Sequence, residues 1–105
     1  MRAFKNTVTS ALLTICVLFQ LTLSAKAEGY GDFNAYIVGL ADNELVSVRS
    51  EPKKSANKVG AILGNAEDIY VHWCDKYDDV MWCDVTHKKL RGWILSKYLQ
   101  NVEGG

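Results

Sequence analysis

The chain has 105 residues, with 12 basic and 12 acidic side chains, three cysteines and one proline. That length accommodates one domain, and a hydrophobic content of 49% argues against disorder. The zero net charge adds two unlike parts. Arg2, Lys5 and Lys26 all precede the first acidic residue, Glu28, and without them nine basic side chains face twelve acidic ones. A small acidic domain lacks the clustered Lys and Arg that a phosphate backbone requires, so nucleic-acid binding is not expected.

Residues 1–27 read as an export signal. Arg2 and Lys5 form a short positive region, and residues 11–23 form an apolar run interrupted by Thr14, Gln20 and Thr22. Ala25-Lys26-Ala27 then supplies the small-x-small pattern that a signal peptidase recognises, placing cleavage after Ala27. The apolar run is too short for a membrane-spanning helix, which needs about 20 residues. No membrane association is therefore expected after cleavage. Cys16 leaves with the signal, and the exported chain keeps one pair, Cys74 and Cys83. In an oxidising compartment, periplasmic or extracellular, that pair is expected to form a disulfide.

Residues 28–34 are Gly-rich and polar and read as a flexible leader; residues 35–100 form the domain and 101–105 a short tail. Within the domain, apolar runs alternate with turn formers every eight to twelve residues. Strands are expected at 35–40, 45–49, 58–63, 68–74, 81–86 and 90–95. Ile69 and Val71 alternate with Tyr70 and His72, and Cys83 and Val85 alternate with Trp82 and Asp84. That period of two marks half-buried strands. Only Ser96-Lys97-Tyr98 suggests a single helical turn. The fold class is all-β, a small antiparallel barrel of five to six short strands behind a signal-peptide helix.

Five blocks, at 45–52, 59–63, 68–71, 82–85 and 92–99, stand in an order that resembles the bacterial SH3 domains. Leu45-Val46-Ser47-Val48-Arg49-Ser50-Glu51-Pro52 is similar to that family's L-x-V-R-x-x-P signature, and Val59-Gly60-Ala61-Ile62-Leu63 to its V-x-G-x-L strand. Asp68-Ile69-Tyr70-Val71 stands where the family has a V-x-V strand. Trp82-Cys83-Asp84-Val85 resembles W-x-x-V, and Gly92-Trp93-Ile94 with Tyr98-Leu99 resembles the closing G-W-V…Y-L. Two positions depart from the pattern. The turn before the V-x-V strand reads Gly64-Asn65-Ala66, where Asn can stand in for glycine at positive φ, and Glu51 replaces a frequent glycine. The resemblance implies an SH3-like barrel and a binding module of the cell envelope.

The residues carry further expectations of their own. Pro52 fits a turn, and Gly92 is expected to let the backbone pass close beneath a large ring. Trp73, Trp82, Trp93, Tyr70 and Tyr98 are expected to supply much of the core, since a chain this small has little apolar area to spare. Simple alternation puts Cys74 on the face opposite Val71 but Cys83 on the face of Val85, so a disulfide requires a bulge in one strand. Trp73 has the inward parity and becomes exposed only if such a bulge exists.

Tyr70, Trp73, Tyr77 and Trp82 are the candidate binding residues, with rings that strand parity or loop position turns outward. His72-x-Cys74 and Cys83-x-x-x-His87 have donors that zinc accepts, but not the usual knuckle spacing. Asp75, Asp78 and Asp79 lack the order of a calcium loop and read as a solvated hairpin tip. Neither histidine stands in a hydrolase or metalloprotease motif. No catalytic residue, metal or cofactor is assigned. The expected role is a non-catalytic periplasmic or secreted module that recognises peptidoglycan or an extended segment of an envelope protein. The competing expectation is an interaction or inhibitor protein, such as a toxin antagonist or an envelope-assembly factor.

Overall fold

The computed structural model describes residues 29–104, so the expected export signal lies outside the described residues. Seven antiparallel strands form one sheet: β1 (Phe33–Ile37), β2 (Leu45–Arg49), β3 (Lys58–Leu63), β4 (Ile69–Tyr77), β5 (Val80–His87), β6 (Leu90–Leu95) and β7 (Leu99–Asn101). Their order across the sheet is β3-β2-β6-β5-β4-β1-β7, and the sheet curls into a half-barrel. A single 3-10 turn at Ser96–Tyr98 separates β6 from β7.

β2, β3 and β6 occupy the residues expected from alternation. The β4–β5 hairpin is longer than expected at its tip. Asp78 and Asp79 have φ of 53° and 65°, the left-handed pair that a two-residue hairpin turn demands, so the strands run on to Tyr77 and resume at Val80. Aspartate tolerates this conformation better than most residues, which accounts for two adjacent acids at the tip. Asp68, not Asn65, takes positive φ before β4, at 60°.

The Gly-rich segment expected to be loose lies along β4. Tyr30 exchanges two backbone hydrogen bonds with Cys74 (3.0 and 2.6 Å), and the Asp32 N–H donates to the Val71 carbonyl at 2.8 Å. Glycine permits this approach: a Cβ at Gly31 would fall 2.1 Å from the His72 carbonyl oxygen. β1 therefore begins at Phe33, inside the expected leader, and its other edge pairs with the unexpected β7.

Between β4 and β5 the register slips by one residue. Val71 faces Val85, yet Trp73 faces Asp84, leaving His72 as the extra residue of a bulge. From there on the parity of β4 is inverted. Cys74 comes onto the inner face opposite Cys83, and the two are joined in a disulfide with Cα atoms 4.0 Å apart. Trp73 turns outward.

The core is aliphatic, not aromatic. Val46, Val48, Ile62, Ile69, Val71, Val85 and Ile94 form it together with Ala35, Ile37 and the disulfide, and Tyr98 packs partly against it. Trp73 and Tyr70 are exposed, and Trp93 lies on the outer face with only partial burial. Trp82 is 3% exposed but also points to the outer face, beside Asp75 and Leu95 in register. The expectation of a ring-filled interior is thus corrected. A half-barrel this small has an inner face that branched aliphatic side chains already fill, so the large rings lie against its outside.

Gly92 does serve a close approach, but to β2 and not to a ring. A Cβ there would fall 2.6 Å from Val48 Cγ1 and 2.7 Å from the Arg49 carbonyl oxygen. The disulfide closes a short loop, with a sequence separation of 9. In the chain-entropy model that contributes about 2–3 kcal/mol. Ile94→Ala is expected to lower the unfolding free energy by about 2–5 kcal/mol. Trp73→Ala, at an exposed position, should cost about 1 kcal/mol or less. Urea denaturation followed by circular dichroism checks the pair, and a larger loss for Trp73→Ala would contradict an aliphatic core.

Candidate binding face

The outer face of the sheet carries the functional side chains, in rows fixed by strand register. One row runs Trp73, Asp84, Trp93 and Arg49 across β4, β5, β6 and β2. The next runs Asp75, Trp82 and Leu95. A third holds Tyr70, Thr86 and Arg91. Directly opposed residues on one face lie close enough for their side chains to interact.

The four residues expected to bind separate into three environments. Trp73 is 42% exposed, and its indole covers the backbone of Gly29, where a Cβ would fall 2.0 Å from Trp73 Cζ2. Tyr70 is exposed too, but its hydroxyl donates to Asp32 Oδ1 at 2.6 Å and its ring meets His72 edge-on. The hydrogen bond to Asp32 raises the Tyr70 pKa, with burial and the carboxylate charge adding to the shift. Tyr77 is half-buried and packs edge-on against Trp93, with ring centroids 5.3 Å apart.

Trp82 is the departure from expectation. Its parity is outward as expected, but it is not partly exposed. It lies on the register diagonal between Tyr77 and Trp93, which accounts for the burial of an outward-facing indole. Its remaining edge forms part of a cleft of about 300 Å³, together with Leu95, Tyr98, Arg49, Lys54 and Lys97.

Fixed polar contacts frame this face. Arg91 grips Asp84 in a two-pronged ion pair, Nε to Oδ1 at 3.1 Å and Nη2 to Oδ2 at 2.8 Å. That pairing raises the Arg91 pKa and keeps Asp84 occupied between the two indoles of its row. Thr86 Oγ1 and His72 Nε2 are 2.7 Å apart. Arg49 Nη1 donates to the Ala56 carbonyl at 3.1 Å, tying the loop after β2 to the rim of the cleft.

Among the described residues, the cysteine sulfurs and imidazoles do not assemble into one cluster. Both sulfurs are bonded to each other, and His72 is held on the outer face by Thr86. His87 lies on the far side of the sheet, its Nδ1 buried without a hydrogen-bond partner. Among the described residues, no three His, Cys, Asp or Glu side chains group closely enough to hold a metal ion.

Sequence reasoning missed the cations of the cleft. Arg49, Lys54 and Lys97 come from β2, the loop after it and the 3-10 turn, and are brought together only by the pairing of β2 with β6. Nothing in their spacing announces this. Trp93 was legible as a large ring, but not as a member of an outer face, whereas Tyr98 packs partly against the core as expected while also lining the cleft.

Comparison with curated proteins gives no match, and comparison with solved structures gives none. The model of the bacterial SH3 domain matches residues 44–100, from the residue before β2 into β7. That span takes in the cleft and most of the aromatic face, and the chain belongs to the bacterial SH3 domain family.

Proposed function

We propose that the protein is an exported, non-catalytic module that binds the peptide portion of peptidoglycan. Bacterial SH3 domains are binding modules commonly associated with the cell wall. The observation that carries the reading is the outer face itself. An open cleft with Trp82 and Tyr98 in its wall lies on the same side of the sheet as the exposed indole of Trp73. Shallow clefts with aromatic walls suit extended peptide chains, because rings offer contact area at low entropic cost.

The chemistry of the face agrees with binding and not turnover. A cysteine nucleophile needs a thiolate beside a base, and both thiols are consumed in the disulfide. That disulfide also fits an oxidising compartment, and export with cleavage after Ala27 is part of the proposal.

Protein recovered after expression of the full chain should begin at Glu28 by N-terminal sequencing. Mixed with isolated sacculi, it should sediment with them. Recovery in the supernatant equal to that of a bead control would count against a cell-wall ligand.

A second reading, an interaction or inhibitor protein of the envelope, is favoured by the acidic β4–β5 tip. Asp78 and Asp79 are exposed there beside Asp75. Asp78→Asn with Asp79→Asn removes two charges while keeping residues that accept positive φ. On that reading the variant stays folded and loses a co-purifying envelope protein. Retention of cell-wall sedimentation by the variant supports the first reading instead.

A further inference from the structure

Charge is distributed unevenly over the outer face. Three acidic groups, Asp75, Asp78 and Asp79, stand together at the β4–β5 tip, Asp84 is neutralised by Arg91, and Glu51 is paired with Lys53 at 3.5 Å. The cleft beside Trp82 has the opposite character. Three cations line it, Arg49, Lys54 and Lys97, and no carboxylate does. This is a concentration of positive charge in a domain whose overall balance is acidic.

The three cations are also available. Among the described residues neither Lys54 nor Lys97 makes an ion pair. Lys97 Nζ stands 5.1 Å from the centre of the Tyr98 ring, a contact that leaves its N–H donors open. Arg49 spends one N–H on the Ala56 carbonyl, and a guanidinium has five. Like charges converging on one small cleft repel each other, and an anion placed among them relieves that repulsion. Beside the cations the lining includes the apolar and aromatic side chains of Trp82, Leu95 and Tyr98. The cleft therefore suits a ligand with a short apolar stretch ending in, or flanked by, a carboxylate.

Size narrows the choice further. About 300 Å³ is at the lower end of small-ligand sites, enough for a few residues of peptide and too small for the face of a folded protein.

We propose that the Arg49, Lys54 and Lys97 cleft is the seat of a free carboxylate on the peptide stem of the cell-wall polymer, with the neighbouring aliphatic atoms of the stem against Trp82, Leu95 and Tyr98. This rests on the cell-wall reading above and specifies which group of the ligand is recognised. Carboxylate hydrogen bonds to ammonium and guanidinium groups are charge-assisted, so they supply orientation as well as attraction. The exposed Trp73 lies outside the cleft and takes no part in holding the carboxylate.

The test uses the exported protein and two probes, a synthetic tetrapeptide with free carboxylates and the same peptide fully amidated. Tryptophan fluorescence titration at low salt should show the acid form binding about tenfold tighter than the amide, with the difference shrinking as salt rises. The double variant Lys54→Gln with Lys97→Gln should bind both forms alike. Lys88→Gln with Lys89→Gln, which removes the same charge at the β5–β6 turn, should retain the preference for acid. Both pairs are exposed, so matched thermal melts verify that each variant folds.

Equal affinity for acid and amide overturns the proposal, as does an unchanged preference in the Lys54/Lys97 variant. If that variant also sediments undiminished with sacculi, the cleft assignment falls while the cell-wall module stands. If the wild type binds neither sacculi nor peptide, both fall. Capture of an acidic protein segment in preference to the stem peptide overturns the proposed ligand.

Discussion

One extra residue in β4 organises the molecule. His72 interrupts the pairing with β5, and every side chain beyond it exchanges faces. Upstream, Ile69 and Val71 point into the half-barrel; downstream, Cys74 does, one residue out of phase with simple alternation from Val71. The same inversion carries Trp73 outward and aligns it with Asp84, Trp93 and Arg49. Disulfide, core and binding face are therefore consequences of a single backbone irregularity. His72 itself is held by Thr86 on the next strand, so the bulged residue has a partner outside the ladder.

The inner face needs this arrangement because it is small. Short strands and one curled sheet leave room for valine and isoleucine but little for indoles, and a domain of this size has a marginal core. The disulfide compensates, replacing two more apolar side chains with a covalent cross-strand link inside the aliphatic cluster. The rings displaced to the outside then cover one another. Tyr77 against Trp93, with Trp82 between them in register, forms a second apolar layer on a surface otherwise exposed to water. Trp82 is accordingly buried although it faces outward, with one edge in the wall of the cleft.

How much of this could be read beforehand depends on whether a feature is local. β2, β3 and β6 were legible because their alternation is uninterrupted between strong turn signals. The cysteine parity conflict foretold a bulge, since only an inserted residue could reconcile Cys74 with Cys83. The extension of β4 through Asp75 and Lys76 was not legible: charged residues read as a loop until one knows that only Asp78 and Asp79 turn the chain. β7 pairs with β1 from the far end of the domain, and three residues carry no pattern of their own. The side taken by Trp93 followed from Gly92 facing inward against Val48, a contact between distant strands. The cationic cleft was hidden for the same reason, since Arg49, Lys54 and Lys97 meet only after the sheet has curled.

The central claim is that the bulge at His72 sets which side chains face in and which face out. Deleting His72 tests it most directly, because the deletion restores unbroken alternation without removing a core side chain. The account predicts that Trp73–Asp84 and Cys74–Cys83 then follow Val71–Val85 as an unbroken ladder, so the disulfide still forms, neither cysteine reacts with an alkylating reagent, and a cooperative thermal transition is kept. A deletion variant whose Cys74 and Cys83 are alkylated as free thiols would contradict it.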